Sequence, residues 1–133
     1  MEYQEWVKQY SVGEPLLDSY HHIFFQAVDQ IEKAAESGES HAAQERLAFL
    51  LMYANMHFES EEDLLWRVGY PELEQHRALH EAFRAMLMDL HQEMGEHPTP
   101  ETASRTTEVA RTWWMDHILH EDMKYKPYLK ALE

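Results

Sequence analysis

The chain has 133 residues, 44% apolar and 27% charged, enough to bury one core and ordinary for a globular protein. Its 25 acidic against 11 basic residues leave a formal charge of −14, a potential that repels phosphate backbones and anionic lipid, so nucleic acid and membrane surfaces are not expected partners. Cysteine is absent, which excludes disulfides, zinc ribbons, iron–sulfur clusters and thiol nucleophiles, whereas ten histidines are a heavy load of the commonest metal ligand.

The chain opens with MEYQEWVKQY, which has no basic region followed by an apolar stretch, and no run approaches the ~20 apolar residues of a membrane span. A cytoplasmic location is therefore expected. Residues 1–14, with Trp6 and Tyr10, are expected to form an irregular arm packed over the rest. All four glycines and four of the five prolines then fall between long stretches rich in Ala, Leu, Glu, Gln and Met, which read as helices over 16–37, 41–66, 71–93 and 100–123. Gly38 suits the end of the first helix and Ser40 the N-cap of the second. Pro71 and Pro100 suit the opening turns of the third and fourth, and Thr99 could cap the fourth.

Each helix carries an inward stripe at alternating steps of three and four. The first has Leu17, His21, Phe24, Val28 and Ile31; the second Leu47, Leu50, Ala54, His57, Glu61 and Leu64. The third has Leu73, His76, His80, Phe83, Leu87, Leu90 and Met94, and the fourth Thr106, Val109 or Ala110, Trp113 and His117. Short connections make neighbours antiparallel, so the expected fold is an all-α, up-down-up-down four-helix bundle in a single domain over 1–133.

Metal-ligand residue types sit on the stripes themselves: His21, His57, Glu61, His76, His80 and His117, followed by Asp122. Counted from the connecting turns at ~1.5 Å per residue, they fall within a few Å of one height. A lone histidine on such a stripe is usually a hydrogen-bonded core residue. Seven polar groups in one layer are different, because each one buried without a partner costs roughly 2–7 kcal/mol against a net stability of ~5–15 kcal/mol. A purely structural network would have to satisfy every member, and a metal cluster is the simpler account.

The spacing in HFESE and HRALH puts both side chains of each pair on one helical face. His117 and Asp122 are five apart, which a regular helix splays by about 140°, so the fourth helix must end, bend or bulge there. HRALH is not a zinc-protease motif, since Arg77 stands where the glutamate base belongs. The ferritin pattern of paired Glu-x-x-His is absent as well. Two octahedral ions sharing two bridging carboxylates and one bridging oxygen, with five histidines added, would keep one of twelve positions open for a small ligand. Imidazole and carboxylate suit iron, without excluding manganese or zinc.

At these residues, from Trp6 to about Tyr125, the chain resembles a hemerythrin of the single-domain bacterial kind. LLDSYH at 16–21, HFESEE at 57–62, GYPELEQHRALH at 69–80 and WWMDHILHEDMKY at 113–125 are similar to the family's motifs, and its His-x₄-Asp spacing is the one found here. The resemblance implies two iron ions in an oxo- or hydroxo-bridged centre. One would be held by His76, His80 and His117, the other by His21 and His57, with Glu61 and Asp122 bridging. It further implies a dioxygen pocket lined by Phe24, Phe58, Trp113, Trp114 and Ile118. Tyr20, where glutamine is usual, and Trp114, where leucine is common, depart from the family pattern and narrow the expected pocket.

The function expected is reversible dioxygen binding as a carrier or store, not catalysis. The alternatives are an oxygen or redox sensor module and a di-iron enzyme acting on peroxide or nitric oxide. His22, His41, His91, His97 and His120 are expected at the surface, Asp18 as an acid of the first helical turn, and Tyr20 as a surface or packing residue.

Overall fold

A computed structural model describes residues 9–95 and 97–129 of the chain. Four long helices, α1 (Pro15–Glu36), α2 (Ser40–Arg67), α3 (Leu73–Met94) and α4 (Pro100–His117), are followed by a π-helical turn (Ile118–Asp122) and a short helix α5 (Met123–Leu129). Consecutive helices pack as neighbours and α4 returns beside α1, closing an antiparallel bundle with no strand among the described residues. No described helix is long and apolar enough to cross a membrane.

The ends follow from local chemistry. Gly38 and Gly69 sit just past α1 and α2 with φ of 74° and 71°, a left-handed conformation that other residues adopt only with strain. In both turns the next residue's N–H reaches back to the helix, Glu39 to the Ala34 carbonyl at 2.8 Å and Tyr70 to the Leu65 carbonyl at 3.0 Å, satisfying carbonyls that the helix end leaves open. Thr99 caps α4 as expected: its hydroxyl accepts from the Thr102 N–H at 3.2 Å, and the Thr102 hydroxyl accepts from the Thr99 N–H at 3.1 Å.

Three boundaries differ from the sequence reading. Ser40 is the first residue of α2, not its cap, because Glu39 takes the cap position without a side-chain bond. Pro71 lies in the turn before α3, which starts at Leu73. The fourth helix does not stop near 123 but runs through the π turn to Leu129.

Apolar side chains form two clusters along the bundle. The larger one holds Phe24, Val28, Ile31, Leu47, Leu50, Phe58, Phe83, Leu87, Trp114 and Ile118. The smaller holds Val12, Leu17, Leu64, Leu65, Tyr70, Leu73, Tyr125 and Leu129. Burying each large side chain contributes roughly 1.5–3 kcal/mol. α1, α2 and α3 each pass from one cluster to the other, and at each crossing stands a buried polar residue: His21 between Leu17 and Phe24, Glu61 between Phe58 and Leu64, His76 and His80 between Leu73 and Phe83.

Of the expected N-terminal arm, residues 1–8, with Trp6, lie outside the described residues. Tyr10 and Val12 are buried, and Gln9 and Tyr10 are helical, not irregular. Asp18 fastens this stretch: its carboxylate accepts from the Ser11 hydroxyl at 2.6 Å and from the Val12 N–H at 2.8 Å. It is a first-turn acid, as expected, and also a clip.

Candidate metal centre

The seven side chains singled out by the stripes meet in one layer, each at most 4% exposed. α1 supplies His21, α2 supplies His57 and Glu61, α3 supplies His76 and His80, and α4 with its π turn supplies His117 and Asp122. The π turn resolves the five-residue spacing. Its hydrogen bonds close five residues on instead of four, giving roughly 4.4 residues per turn, so Asp122 returns to the face of His117.

The layer divides into two groups that share Glu61. Ligand atoms of Glu61, His76, His80 and His117 all lie within 4.8 Å of one another, and so do those of His21, His57 and Glu61. Glu61 turns one oxygen to each group: Oε1 is 2.6 Å from His76 Nε2 and 3.2 Å from His80 Nε2, while Oε2 is 3.2 Å from His21 Nε2 and 3.1 Å from His57 Nε2. Asp122 does the same, with Oδ1 at 3.0 Å from His117 Nε2 and 3.2 Å from His76 Nε2, and Oδ2 at 3.1 Å from His21 Nε2.

Two observations test whether these residues fit metal ions. Neither oxygen of Asp122 and neither ring nitrogen of His57 makes a hydrogen bond, although all four atoms are buried and close to other polar atoms. Buried atoms of this kind are hydrogen-bonded in native proteins or serve an ion. The separations are also those of adjacent donors around one ion, since bonds of about 2.1 Å at right angles place donors ~3.0 Å apart. His80 Nε2 and His117 Nε2, 3.2 Å apart, face each other in this way. The donor set fits.

Without metal, the layer is strongly coupled. Burial pushes the His21 and His76 imidazoles down, but the Asp122 and Glu61 carboxylates outweigh it and raise them to about 9 and about 10. His57 goes the other way, lowered because burial dominates over Glu61. Burial raises the carboxyls of Glu61 and Asp122, yet the surrounding imidazoles hold both well below the usual carboxylate range.

Of the side chains expected to line a pocket, Phe58, Trp113 and Trp114 pack against histidines of this layer. Phe58 stacks on His80 (centroids 3.8 Å apart, planes 11° apart), and Phe24 stacks on Trp114 at 3.7 Å. The Trp114 indole meets His21 and His57 edge-on at 5.4 and 5.5 Å, and its N–H donates to the His21 carbonyl at 3.4 Å. Ile118 is fully buried. Trp113 differs: half-buried, it stacks on the outer face of His117 at 4.4 Å and borders a surface cleft with Leu79, Asp116 and His120.

Two contacts went unread in the sequence. The Tyr125 hydroxyl, fully buried, donates to Glu61 Oε2 at 3.1 Å; Tyr125 lies three residues beyond Asp122 and so on its face, which was the available signal. Glu62 Oε2 accepts from His80 Nδ1 at 2.8 Å; Glu62 closes the HFESEE stretch, but nothing in that stretch points to His80 as its partner. Tyr20, expected as a surface or packing residue, does pack, with its ring 5.4 Å from His57 and 5.6 Å from Tyr53. Of the other histidines, His41, His97 and His120 are exposed as expected, whereas His22 and His91 are half-buried.

Residues 12–129 match the hemerythrin HHE cation binding domain family. The chain is 31% identical over 116 residues to a bacteriohemerythrin of Methylococcus capsulatus, covering 86% of each chain. It is 29% identical over 121 residues to a myohemerythrin of Riftia pachyptila, covering 91% of this chain and 89% of the other. A crystal structure of wild-type hemerythrin superposes with a TM-score of 0.84 at 28% identity, covering 94% of this chain and 95% of that one.

Proposed function

The chain belongs to the hemerythrin family, and on that premise we propose that its buried layer holds two iron ions and binds dioxygen reversibly, as a carrier or store. His76, His80 and His117 would hold one ion and His21 and His57 the other, with Glu61 and Asp122 shared between them in a single domain over 1–133. When bound, such a centre supplies an open coordination position and the reducing electrons that dioxygen binding draws on.

The observation that carries this reading is the sharing of two carboxylates, each with one oxygen toward the three-histidine group and one toward His21. A single-ion site has no use for a second group of donors across the same carboxylates. The chain's own residues do the rest. Phe24, Phe58, Trp114 and Ile118 keep water from the layer, and Trp113 covers the outer face of His117. Tyr125 holds Glu61 by its Oε2, fixing the shared carboxylate in place.

The test is an absorption spectrum of the reduced, iron-loaded protein before air is admitted, after, and again once oxygen is removed. A visible band that appears with oxygen and vanishes without it is expected. A band that forms slowly and persists would rule out the carrier reading and favour redox sensing.

A further inference from the structure

A neutral imidazole carries one N–H and one lone pair, and whichever nitrogen is to serve an ion must present the lone pair. What holds the other nitrogen therefore decides how well the ring is aimed. We propose that Glu62 is a positioning residue for the candidate metal centre: its carboxylate takes the outer N–H of His80 and so fixes Nε2, lone pair inward, toward the shared Glu61. This rests on the metal reading given above.

Glu62 follows Glu61 on α2, and the ~100° step between consecutive helical residues turns it from the bundle axis to the seam with α3. There its Oε2 lies 2.8 Å from His80 Nδ1, while the opposite nitrogen of the same ring, Nε2, is 3.2 Å from both Glu61 Oε1 and His117 Nε2. The ring cannot tilt freely, because Phe58 lies flat against it. Glu62 is itself held, with Arg77 Nε at 3.4 Å and an Arg84 nitrogen at 3.8 Å. The Arg84 guanidinium lies over the Phe58 ring, 5.2 Å from its centroid, which closes a loop of four groups around His80. The Glu62 side chain is only 16% exposed, so water competes poorly for the bond.

An anionic acceptor on the outer nitrogen does two separable things. It fixes the tautomer and direction of the ring, which governs how long an ion is retained. It also increases electron donation from the inner nitrogen, which favours the more highly charged ion and lowers the reduction potential.

The experiment compares full-length wild type, Glu62→Ala, Glu62→Gln and Arg77→Gln, loaded anaerobically with Fe(II). It reads the rate of iron release to a chelator and the midpoint potential. Glu62→Ala is expected to release iron ~10–100-fold faster. Glu62→Gln keeps an acceptor without its charge, so it should recover most of the retention and show a raised potential. Arg77→Gln removes one of the two cations that hold Glu62 and leaves its bond to His80, so its iron release should fall between wild type and Glu62→Ala. If Glu62→Ala releases iron within about twofold of wild type, the role of Glu62 is overturned while the metal reading stands. Should Glu62→Ala not fold, an unshifted potential in Glu62→Gln overturns the role equally. A wild type that takes up no iron overturns both.

Discussion

Glu61 is the residue on which the two groups of histidines depend, since its oxygens are turned one to each. Replacing it with alanine leaves His21, His57, His76 and His80 facing a gap in which neither group has a shared anion. Glu61→Ala is expected to lose one or both irons by elemental analysis of the purified protein; full occupancy by two would contradict the bridging role. The coupled imidazoles give a second expectation. In the metal-free protein His21 and His76 keep their protons up to about 9 and about 10, so loading near neutral pH has to displace them. Metal uptake at about pH 7.5 should release ~2 protons from this pair, and affinity should rise as pH climbs toward 9–10 and the competition fades. Calorimetry in buffers of different ionisation enthalpy measures this directly, and a heat of binding independent of the buffer would refute it.

At the scale of elements, stripe periodicity was enough to place the four helices, because each has one face committed to the core over its whole length. Counting residues from the connecting turns put His21, Glu61 and His80 at one height. It could not show the form of the bulge before Asp122: a five-residue spacing requires that something give way, but not whether the helix ends, kinks or widens. Glu62 stayed illegible for another reason. Its partner His80 lies 18 positions on, across a helix seam, and short-range patterns carry no information about such pairs. Asp18 looked like an ordinary first-turn acid because its partners, Ser11 and Val12, belong to a stretch without periodicity. The helix ends are easier to test. Gly69 has φ of 71° and nothing within 4 Å of an added Cβ, so alanine there meets conformational strain alone. Gly69→Ala should cost about 1 kcal/mol and lower Tm by a few degrees with iron content unchanged, as calorimetry and elemental analysis would show. A loss of iron would mean that the α2–α3 turn also sets the position of the site.

For the whole molecule, the polar layer divides an apolar core that would otherwise run the length of the bundle. Metal-free, it holds buried carboxylates and imidazoles that only partly satisfy one another. Ions that bind the native state and not the unfolded chain add ~4 kcal/mol at a thousandfold excess over Kd, which raises Tm on the order of 10–20 °C for a domain of this size. Thermal unfolding with and without iron measures the difference, and equal melting temperatures would mean that the layer does not hold metal in the folded protein.

The π turn also bears on which changes of length the chain could survive. Five residues wound at roughly 4.4 per turn advance the helix through nearly the same angle as four residues of α-helix, within ~10°. Dropping one residue here, for instance the exposed Leu119, would let the turn relax into ordinary helix with Tyr125 and Leu129 still facing inward. The same deletion in the middle of α2 would swing every later side chain of that helix by ~100° and turn Glu61 out of the layer. Within its long helices the chain therefore carries a spare link between His117 and Asp122, where a lost codon would alter the site and leave the bundle in register.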